Sequence, residues 1–438
     1  MSIPMTTKEL YQIYLKHRNI CTDTRKISES CLFFALKGEN FDANAFASKA
    51  IEAGAAFAII DDERYADSDK CILVEDALVA LQELSAFHRK QLKIPVIGIT
   101  GSNGKTTTKE LIRSVLSQHC RTFATEGNLN NHIGVPLSLL AIGDDCDIAI
   151  IEMGANHQKE IAFLCSLAQP GYGLITNVGK AHLEGFGGVE GVKMGKGELY
   201  EYLAKTNGTV FINTDNPTLV DMSRDREVIK VVGYGKGATN FVSGGLKELS
   251  PFLTIEWQLK GREDAVFIAE SNLPGTYNFE NILAAICIGS FFKLSTEQIN
   301  QGIKAYQPKN NRSQILKTEN NTLICDYYNA NPSSMVVALD NLHAVPAENK
   351  VIILGDMFEL GLDSSLEHRS IVEKVMEITA SRKIFIGEEF YNLKDKSAEF
   401  YRTTSEASLA IQKTPPTGST ILLKGSRGMK LEDLISNL

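Results

Sequence analysis

The sequence predicts an α/β protein built from three domains. Its 438 residues exceed what one hydrophobic core usually holds, and the length alone favours about three domains. Short apolar runs alternate with segments of helical periodicity over most of the chain, which is typical of parallel sheets covered by helices. We place the boundaries at two junctions near Pro95 and Pro308, which divides the chain into domains 1–93, 94–307 and 308–438.

The first domain is predicted as a small α/β unit, and the last as a Rossmann-like α/β unit. In the first, apolar runs predict strands at 31–36, 55–60 and 71–74, and periodicity predicts helices at 45–53 and 76–92. The last domain has the same alternation. Its predicted elements are strand 322–328, helix 332–342, strand 351–354, helix 366–380, strands 383–386 and 420–423, and helix 431–434.

The central domain is predicted to contain a parallel sheet with an antiparallel insert. Residues 228–272 alternate apolar and polar residues with glycine-rich punctuation, which indicates the insert. A helix follows at 279–292. The predicted parallel strands are 96–100, 147–153, 173–178 and 209–213.

Composition excludes several classes of protein. The net charge of −8 and the absence of a long Lys/Arg block argue against a nucleic-acid partner. No apolar run reaches membrane-spanning length, and residues 1–8 lack a charged-then-apolar signal pattern. The eight cysteines are scattered without a Cys-x-x-Cys pair, so we expect reduced core residues and neither a zinc site nor a disulfide framework. We therefore expect a cytoplasmic protein with no membrane insertion.

The junction between strand 96–100 and the next helix contains a glycine-rich phosphate loop. Backbone N–H groups of such a loop and the positive end of the helix face an anion, while Lys105 adds charge and Thr106 offers a hydroxyl to Mg²⁺. A strict motif needs glycine where Ile99 stands, so this is a shortened variant. An ordinary glycine turn before a helix cap is the alternative. The loop, which predicts nucleoside triphosphate binding, comprises Thr100, Gly101, Ser102, Asn103, Gly104, Lys105, Thr106 and Thr107.

Polar residues also follow the next two predicted strands. Glu152 lies at the carboxyl end of its strand, the edge where α/β sheets bind ligands, and is the expected second Mg²⁺ anchor. A strand-end carboxylate that faces water is the alternative. His182 follows the next strand, where a histidine is more often a packed or capping residue. Its expected convergence with Glu152 and Lys196 favours a functional role.

Four motifs together resemble the Mur ligases, ATP-dependent enzymes that form amide bonds in peptidoglycan precursor synthesis. These motifs are the phosphate loop 100–106, the run 126–136, the segment 152–155 and the segment 176–184 around His182. The resemblance implies that ATP and two Mg²⁺ ions are used and that the substrate carboxylate is activated as an acyl phosphate. The second run contributes candidate substrate contacts, which are Asn128, Asn130 and Asn131.

The resemblance further implies a modified lysine. In this family a lysine shortly after the histidine reacts with CO₂, and the resulting carbamate ligates metal. We place the carbamate at Lys196, with Lys193 as a rival and an ordinary solvated lysine as the alternative. A neutral amine is required, and nearby Mg²⁺ would favour it by lowering the lysine pKa. The implied metal ligands are Thr106, Glu152, His182 and Lys196.

The two ends of the chain suggest the substrates. Thr24 and Arg25 resemble the uridine-nucleotide domain shared by the later-acting family members. Runs 326–332, 354–361 and 423–427 resemble the last-acting member, which joins D-alanyl-D-alanine to UDP-N-acetylmuramoyl-tripeptide. The C-terminal candidates for the dipeptide or peptide end are Lys424, Ser426 and Arg427.

The remaining implied ATP contacts come from two regions. Asn278 and Asn281 are assigned to the adenine side, and Asp326 and Asn331 to the ribose and base. Arg312 lies at the second domain junction, from which it would reach the phosphates; a hinge-surface cation is the alternative. The implied catalytic set is Lys105, Glu152, His182, Lys196 and Arg312.

Departures from the family pattern leave alternatives open. Tyr277 stands where the family has histidine, and Ala43 and Asn44 replace a Gly-His pair. The alternatives are a diaminopimelate- or lysine-adding ligase, a folylpolyglutamate synthase-like ligase, or a nucleotide switch without ligase chemistry. The Asp23–Arg25 segment argues against the folate enzyme, which has no use for a uridine-nucleotide domain. A nucleotide switch would leave Glu152, His182 and Lys196 without a role. We expect a monomer.

Overall fold

The protein contains three main sheets. One lies before the first predicted junction, one between the two junctions and one after the second. The structure is a computed structural model, and it describes residues 5–249, 252–262, 264–309 and 311–438. Each sheet is covered by helices and has its own apolar core. The fold class predicted from the sequence is confirmed; residues 1–4, part of the segment tested for a signal pattern, lie outside the described residues.

The N-terminal domain contains a four-stranded parallel sheet. The sheet order is Ile20–Cys21, Leu32–Phe34, Phe57–Ile60 and Cys71–Leu73. The helices are Thr7–Tyr14, Ala47–Glu52 and Ala77–Gln91, and a small hairpin joins Lys37–Gly38 to Phe41–Asp42. The sequence did not predict helix Thr7–Tyr14, although Thr6 and Glu9 form a capping box at its start.

The central sheet has nine strands. Its order is Phe267–Glu270, Thr254–Leu259, Val242–Glu248, Lys230–Gly235, Thr209–Asn213, Tyr172–Ile175, Val96–Thr100, Ile148–Glu152 and Thr122–Ala124. The helices around it are Lys105–Leu116, Gly134–Leu140, Glu160–Ala168, Leu183–Phe186, Val189–Lys205, Pro217–Arg224, Asn278–Phe291 and Thr296–Ala305.

The predicted antiparallel insert is narrower than expected and belongs to this same sheet. Strand Lys230–Gly235 pairs in parallel with Thr209–Asn213 after the crossover helix Pro217–Arg224. Antiparallel pairing begins only between Val242–Glu248 and Thr254–Leu259. Strand Lys230–Gly235 is an interior strand of the sheet but is partly exposed, so its residue pattern alone does not distinguish parallel from antiparallel pairing.

The C-terminal sheet has six strands, of which only the first is antiparallel to its neighbour. The order is Gln314–Lys317, Thr322–Asp326, Thr420–Lys424, Lys350–Gly355, Arg382–Ile386 and Glu399–Tyr401. The α-helices are Pro332–Ala344, Ser364–Glu377, Glu388–Tyr391 and Thr404–Lys413. The sequence did not predict strands Gln314–Lys317 and Glu399–Tyr401 or helices Glu388–Tyr391 and Thr404–Lys413. The predicted helix at 431–434 is the 3₁₀ helix Leu431–Asn437.

The N-terminal domain is held against the central domain by polar contacts. The Tyr14 hydroxyl donates to the Leu140 carbonyl at 2.7 Å, and Arg18 pairs with Asp144 at 2.7 Å. Arg89 donates to the Ala168 carbonyl at 2.8 Å.

All eight cysteines are free thiols. Within the described part of the chain, no helix combines the length and apolarity that a membrane span requires.

Candidate functional site

The register of the central sheet brings three polar segments to one edge. Strand Val96–Thr100 lies between Ile148–Glu152 and Tyr172–Ile175, and all three are parallel. Their carboxyl ends therefore meet, as expected for a ligand-binding edge of an α/β sheet. The predicted strand 173–178 stops at Ile175, so the chain that leads to His182 is free to form a loop over this edge.

Two glycines give the phosphate loop its shape. Gly101 has φ +141°, and a Cβ there would lie 2.0 Å from the Thr176 hydroxyl oxygen. Gly104 has φ +77°, and a Cβ would lie 2.9 Å from Oδ1 of Asn281. Both positions therefore require glycine. The loop leads directly into helix Lys105–Leu116, so its backbone N–H groups and the helix N-terminus surround one space.

Lys105 folds over this loop. Its Nζ donates to the carbonyl oxygens of Gly101 at 2.6 Å and Ser102 at 3.2 Å. Burial lowers the pKa of the Lys105 amine to about 8. The nearby Glu152 carboxylate has the opposite effect, because it favours the charged amine. The lysine is thus a weakly compensated cation beside an anion-binding loop, and an incoming phosphate would complete its environment.

Glu152 is a buried carboxylate with one oxygen left unsatisfied. Its Oε1 accepts from the Thr106 hydroxyl at 3.2 Å and from Asn130 Nδ2 at 2.9 Å. Its Oε2 is buried without a hydrogen-bond partner, although Nζ of the fully buried Lys109 lies 3.8 Å away. A buried carboxylate oxygen beside a threonine hydroxyl fits a hard divalent cation.

Lys196 is the second buried lysine at this edge. It is 1% exposed, its Nζ donates to the Ala155 carbonyl at 3.1 Å, and it lies 5.0 Å from the Phe186 ring centroid. Burial, and then the charge of Lys105, lower its pKa well below the usual range. Lys193, the rival on the same helix, is half-buried. Glycines flank Lys196, and a Cβ at Gly195 would lie 2.4 Å from Phe186, so the local sequence permits this tight packing.

His182 lies on the loop after Tyr172–Ile175 and lines the same cavity. Its Nδ1 contacts Oε2 of Glu359, a residue of the C-terminal domain. This hydrogen bond lowers the pKa of the Glu359 carboxyl. Among the described residues, no three His, Cys, Asp or Glu side chains form a metal-binding group, so a metal here would depend on Thr106 and a modified Lys196 as well.

A cavity of about 720 Å³ separates the phosphate loop from the C-terminal domain. On the C-terminal side, the Arg312 guanidinium lies 3.9 Å from the Tyr328 ring centroid. Lys424 is 2% exposed and pairs with Asp326 at 2.6 Å. The cavity lining includes these predicted residues: Ser102, Asn103, Gly104, Lys105, Thr106, Thr107, Asn128, Asn130, Asn131, Glu152, His182, Asn278, Asn281, Arg312, Asp326, Asn331 and Lys424.

Asparagines connect the parts of this cavity. Asn331 Nδ2 donates to Oδ1 of Asn103 at 2.8 Å, which joins the C-terminal domain directly to the phosphate loop. Asn281 accepts from the Thr108 hydroxyl at 3.0 Å and donates to Asn278 at 3.0 Å. The sequence assigns three segments to ATP binding: the phosphate loop, residues 278–281 and residues 312–331. All three border the same cavity.

Several predicted residues lie outside the cavity lining. Lys196 is beneath it, and the buried Ser426 accepts the Phe358 N–H at 3.0 Å. Arg427 is exposed, with its guanidinium 5.4 Å from the Tyr328 ring centroid. Thr100 and Gly101 form the base of the loop, while Thr24 and Arg25 lie on the N-terminal domain.

The departures from the family pattern have structural roles. The Tyr277 hydroxyl hydrogen-bonds the Ser313 hydroxyl at 2.6 Å, next to the cavity. Asn44 is fully buried and donates to Asp42 and Asp61, each at 2.7 Å.

Sequence reasoning missed three residues at the site. Lys109 follows the loop by one helical turn, and a lysine so close to a phosphate loop was a usable signal. Tyr328 lies inside the run 326–332 that was recognised. Glu359 lies inside the recognised run 354–361, but the run did not indicate its partner, because its contact with His182 spans two domains.

A phosphate loop with a buried carboxylate and lysine faces a second α/β domain across the cavity, an arrangement that suits an ATP-dependent ligase. Three family models match the chain: "Mur ligase family, catalytic domain" at 16–100, "Mur ligase middle domain" at 99–289 and "Mur ligase, glutamate ligase domain" at 311–427. The chain belongs to the Mur ligase family.

Relatives of known function resemble the whole chain. UDP-N-acetylmuramoyl-tripeptide–D-alanyl-D-alanine ligase of Bacillus subtilis is 34% identical, over 96% of this chain and 92% of that protein. A crystal structure of MurF from Acinetobacter baumannii superposes with a TM-score of 0.87 at 30% identity, covering 100% of this chain and 99% of that one. MurF ligase from Thermotoga maritima in complex with ADP has a TM-score of 0.84 at 25% identity, covering 97% of each chain.

Proposed function

We propose that this protein joins D-alanyl-D-alanine to UDP-N-acetylmuramoyl-tripeptide, converting ATP to ADP and phosphate and forming UDP-N-acetylmuramoyl-pentapeptide for peptidoglycan synthesis. The observation that carries this assignment is the end-to-end similarity to ligases with that activity, which spans all three domains. The cavity between the phosphate loop and the C-terminal domain supports it, because a ligase must bring a nucleotide and two further substrates together.

The chemistry begins with a carboxylate, which is a poor electrophile. Transfer of the γ-phosphoryl group to the tripeptide carboxylate gives an acyl phosphate, and the dipeptide amine then displaces phosphate. Lys105 and the loop N–H groups are placed to stabilise the charge on the transferring group. Arg312, on the opposite side of the cavity, would add a second cation.

Four side chains would hold Mg²⁺: Thr106, Glu152, His182 and Lys196. One ion is supported by the Glu152 carboxylate, whose Oε1 accepts from the Thr106 hydroxyl and whose Oε2 is buried without a hydrogen-bond partner. Bound Mg²⁺ neutralises repulsion between the phosphate and the substrate carboxylate. His182 and Lys196 lie on the other segments at this edge, which suits a second ion.

Lys196 would serve as a ligand after carbamylation. Its burial favours the neutral amine, which attacks CO₂ to form an N–C bond and release a proton. The product is a carboxylate on a rigid helix. Half-buried Lys193 lacks this environment, so Lys196 is the better supported site.

The remaining contacts divide by domain. Thr24 and Arg25 would bind the uridine nucleotide, and the tripeptide would run past the Asn128–Asn131 segment toward the cavity. The ATP side would use Asn278, Asn281, Asp326 and Asn331, together with the loop Thr100–Thr107. Lys424, Ser426 and Arg427 would receive the dipeptide.

We also propose that the enzyme acts as a cytoplasmic monomer. Its eight free thiols fit a reducing compartment.

Phosphate release tests the proposed function. We expect ADP and phosphate with ATP, UDP-N-acetylmuramoyl-tripeptide and D-alanyl-D-alanine together, and far less when the dipeptide is omitted. Two parallel control reactions are run. One supplies lysine or diaminopimelate with UDP-N-acetylmuramoyl-dipeptide, and the other supplies glutamate with a folate. Turnover only in a control reaction would assign the chain to another ligase, and no acceptor-dependent turnover would indicate a nucleotide switch.

Isotope transfer tests the acyl phosphate. With ¹⁸O in the tripeptide carboxylate, released phosphate should carry the label in the complete reaction. Unlabelled phosphate would mean that water attacks ATP and that the proposed order of steps is wrong.

A further inference from the structure

One loop of the central domain is clasped by the C-terminal domain. Lys180 Nζ pairs with Oε1 of Glu367 at 2.5 Å, and the Lys180 backbone N–H donates to the Ser333 hydroxyl at 2.9 Å. Two residues further along, His182 contacts Glu359. The loop that carries His182 is therefore anchored by several polar contacts from the other domain.

The two residues at the end of this clasp have unusual backbones. His182 has φ +53° and Glu359 has φ +62°, a region that residues with a Cβ rarely adopt. Each backbone conformation carries a local cost, and such costs persist where surrounding contacts hold them. Here both unfavourable backbone conformations belong to one pair of residues whose side chains are in contact, so each is held in place by a contact from the other domain.

The contact also decides which ring nitrogen of His182 is available. A carboxylate that accepts from Nδ1–H holds the proton on Nδ1 and leaves the lone pair of Nε2 free. His182 lines the cavity, so the free nitrogen belongs to a ring at the reaction site.

We propose that Glu359 is a positioning residue for the ligase reaction: from the C-terminal domain, it orients the His182 ring and sets its tautomer, so that His182 reaches its working geometry only when the two domains are docked. This inference rests on the proposed function and deepens it. It links domain docking to the assembly of the site, because the histidine and its orienting carboxylate come from different domains.

The exposure of the pair separates this role from a stabilising one. The side chains of His182 and Glu359 are 22% and 54% exposed. Exposed ion pairs contribute little to stability, so loss of Glu359 should barely change the unfolding temperature. A large effect on turnover without unfolding therefore reports on positioning.

Glu367 provides a matched control. It is a C-terminal-domain carboxylate that pairs with the same loop, but it contacts Lys180 and not His182. We expect Glu359→Ala to lower kcat by about 10–100-fold, the usual cost of removing the partner of a ligating histidine, with Glu359→Gln partly rescuing turnover. Glu367 is more buried than Glu359, but Lys180 is 50% exposed and stays hydrated without its partner, so Glu367→Ala should lower kcat less than about threefold. Equal losses in both alanine variants, or full kcat in Glu359→Ala, would overturn the proposal.

The second measurement needs no substrate. ¹⁵N-histidine NMR of the whole protein, with the His182 signals identified by their loss in His182→Asn, reports the tautomer. We expect the Nδ1–H form in the wild type and in Glu367→Ala, and a shift toward Nε2–H in Glu359→Ala. An unchanged tautomer in Glu359→Ala would refute the role of Glu359. Because this readout is independent of the acceptor, failure of D-alanyl-D-alanine ligation would count against the proposed function alone.

Discussion

The two walls of the cavity are built in different ways. On the central-domain side, Lys105 and Glu152 line the cavity, and Lys196 lies outside the lining on helix Val189–Lys205. Glu152 and Lys196 are almost fully buried. On the C-terminal wall, Arg312 stacks on Tyr328, and Asn331 reaches the phosphate loop across the domain boundary.

The two walls are therefore suited to different parts of the reaction. The central wall holds buried charges in fixed register, an arrangement suited to stabilising a transferring phosphoryl group. The C-terminal wall depends on docking, so its contribution can change as domains open and close. Substitutions on the first wall should therefore abolish chemistry, whereas those on the second should weaken it.

The largest expected effect is at Lys196. Lys196→Ala should reduce turnover by at least about 10³-fold, because it removes the lysine on which we propose the carbamate, while ATP binding survives through Lys105. Added short carboxylic acids should partly restore activity. Lys193→Ala, on the same helix, is the matched control and should remain active. Steady-state kinetics and nucleotide titration provide the check, and full activity in Lys196→Ala would contradict the assignment.

An intermediate effect is expected at Arg312. Arg312→Lys keeps the charge but loses the planar stack on Tyr328, so kcat should fall about 10–100-fold with little change in the unfolding temperature. Tyr328→Leu, which removes only the stacking surface, should fall between this variant and the wild type. If Arg312→Lys is fully active, the C-terminal wall contributes no oriented charge, and the proposed difference between the two walls is wrong.

A smaller effect is expected at Arg25, which lies away from both walls. Its side chain is 87% exposed and pairs with Asp23 at 2.8 Å. Arg25→Ala should raise KM for the uridine-nucleotide substrate about 3–10-fold and leave kcat unchanged. Arg64 is a close control, since it makes the same local pair with Asp62 in the same domain. An equal KM increase in Arg64→Ala would mean that the effect is not specific to Arg25.

The smallest effect concerns stability. Burial lowers the pKa of Lys105 to about 8, so between that pH and its usual pKa of about 10.4 the unfolded chain binds more protons than the folded one. The cost of the buried charge is therefore fully present below about pH 8 and is lost as pH rises through this interval. Without nucleotide, Lys105→Met should raise the unfolding temperature at pH 7 by about 2–4 °C, and by less at pH 9.5. Thermal unfolding at both pH values measures this; a lower melting temperature for the variant at pH 7 would contradict it.

Much of the central wall could be predicted because its signals are local. Strand, loop and helix around Lys105 are contiguous, and strand Val96–Thr100 agrees with the predicted bounds. Glu152 could be placed because carboxyl ends of parallel strands share an edge. Strand Lys230–Gly235 was harder, since its pairing direction depends on a crossover and not on its own residues.

The sequence by itself determined the three-domain α/β organisation, the phosphate loop and the polar residues at the strand ends, because periodicity and short motifs encode them locally. The packing of the folded chain buries Lys196, leaves Lys193 half-buried and places Glu359 against His182. Burial and contacts between domains depend on packing among residues far apart in the chain. No local pattern reports which of two lysines on one helix the neighbouring elements will cover.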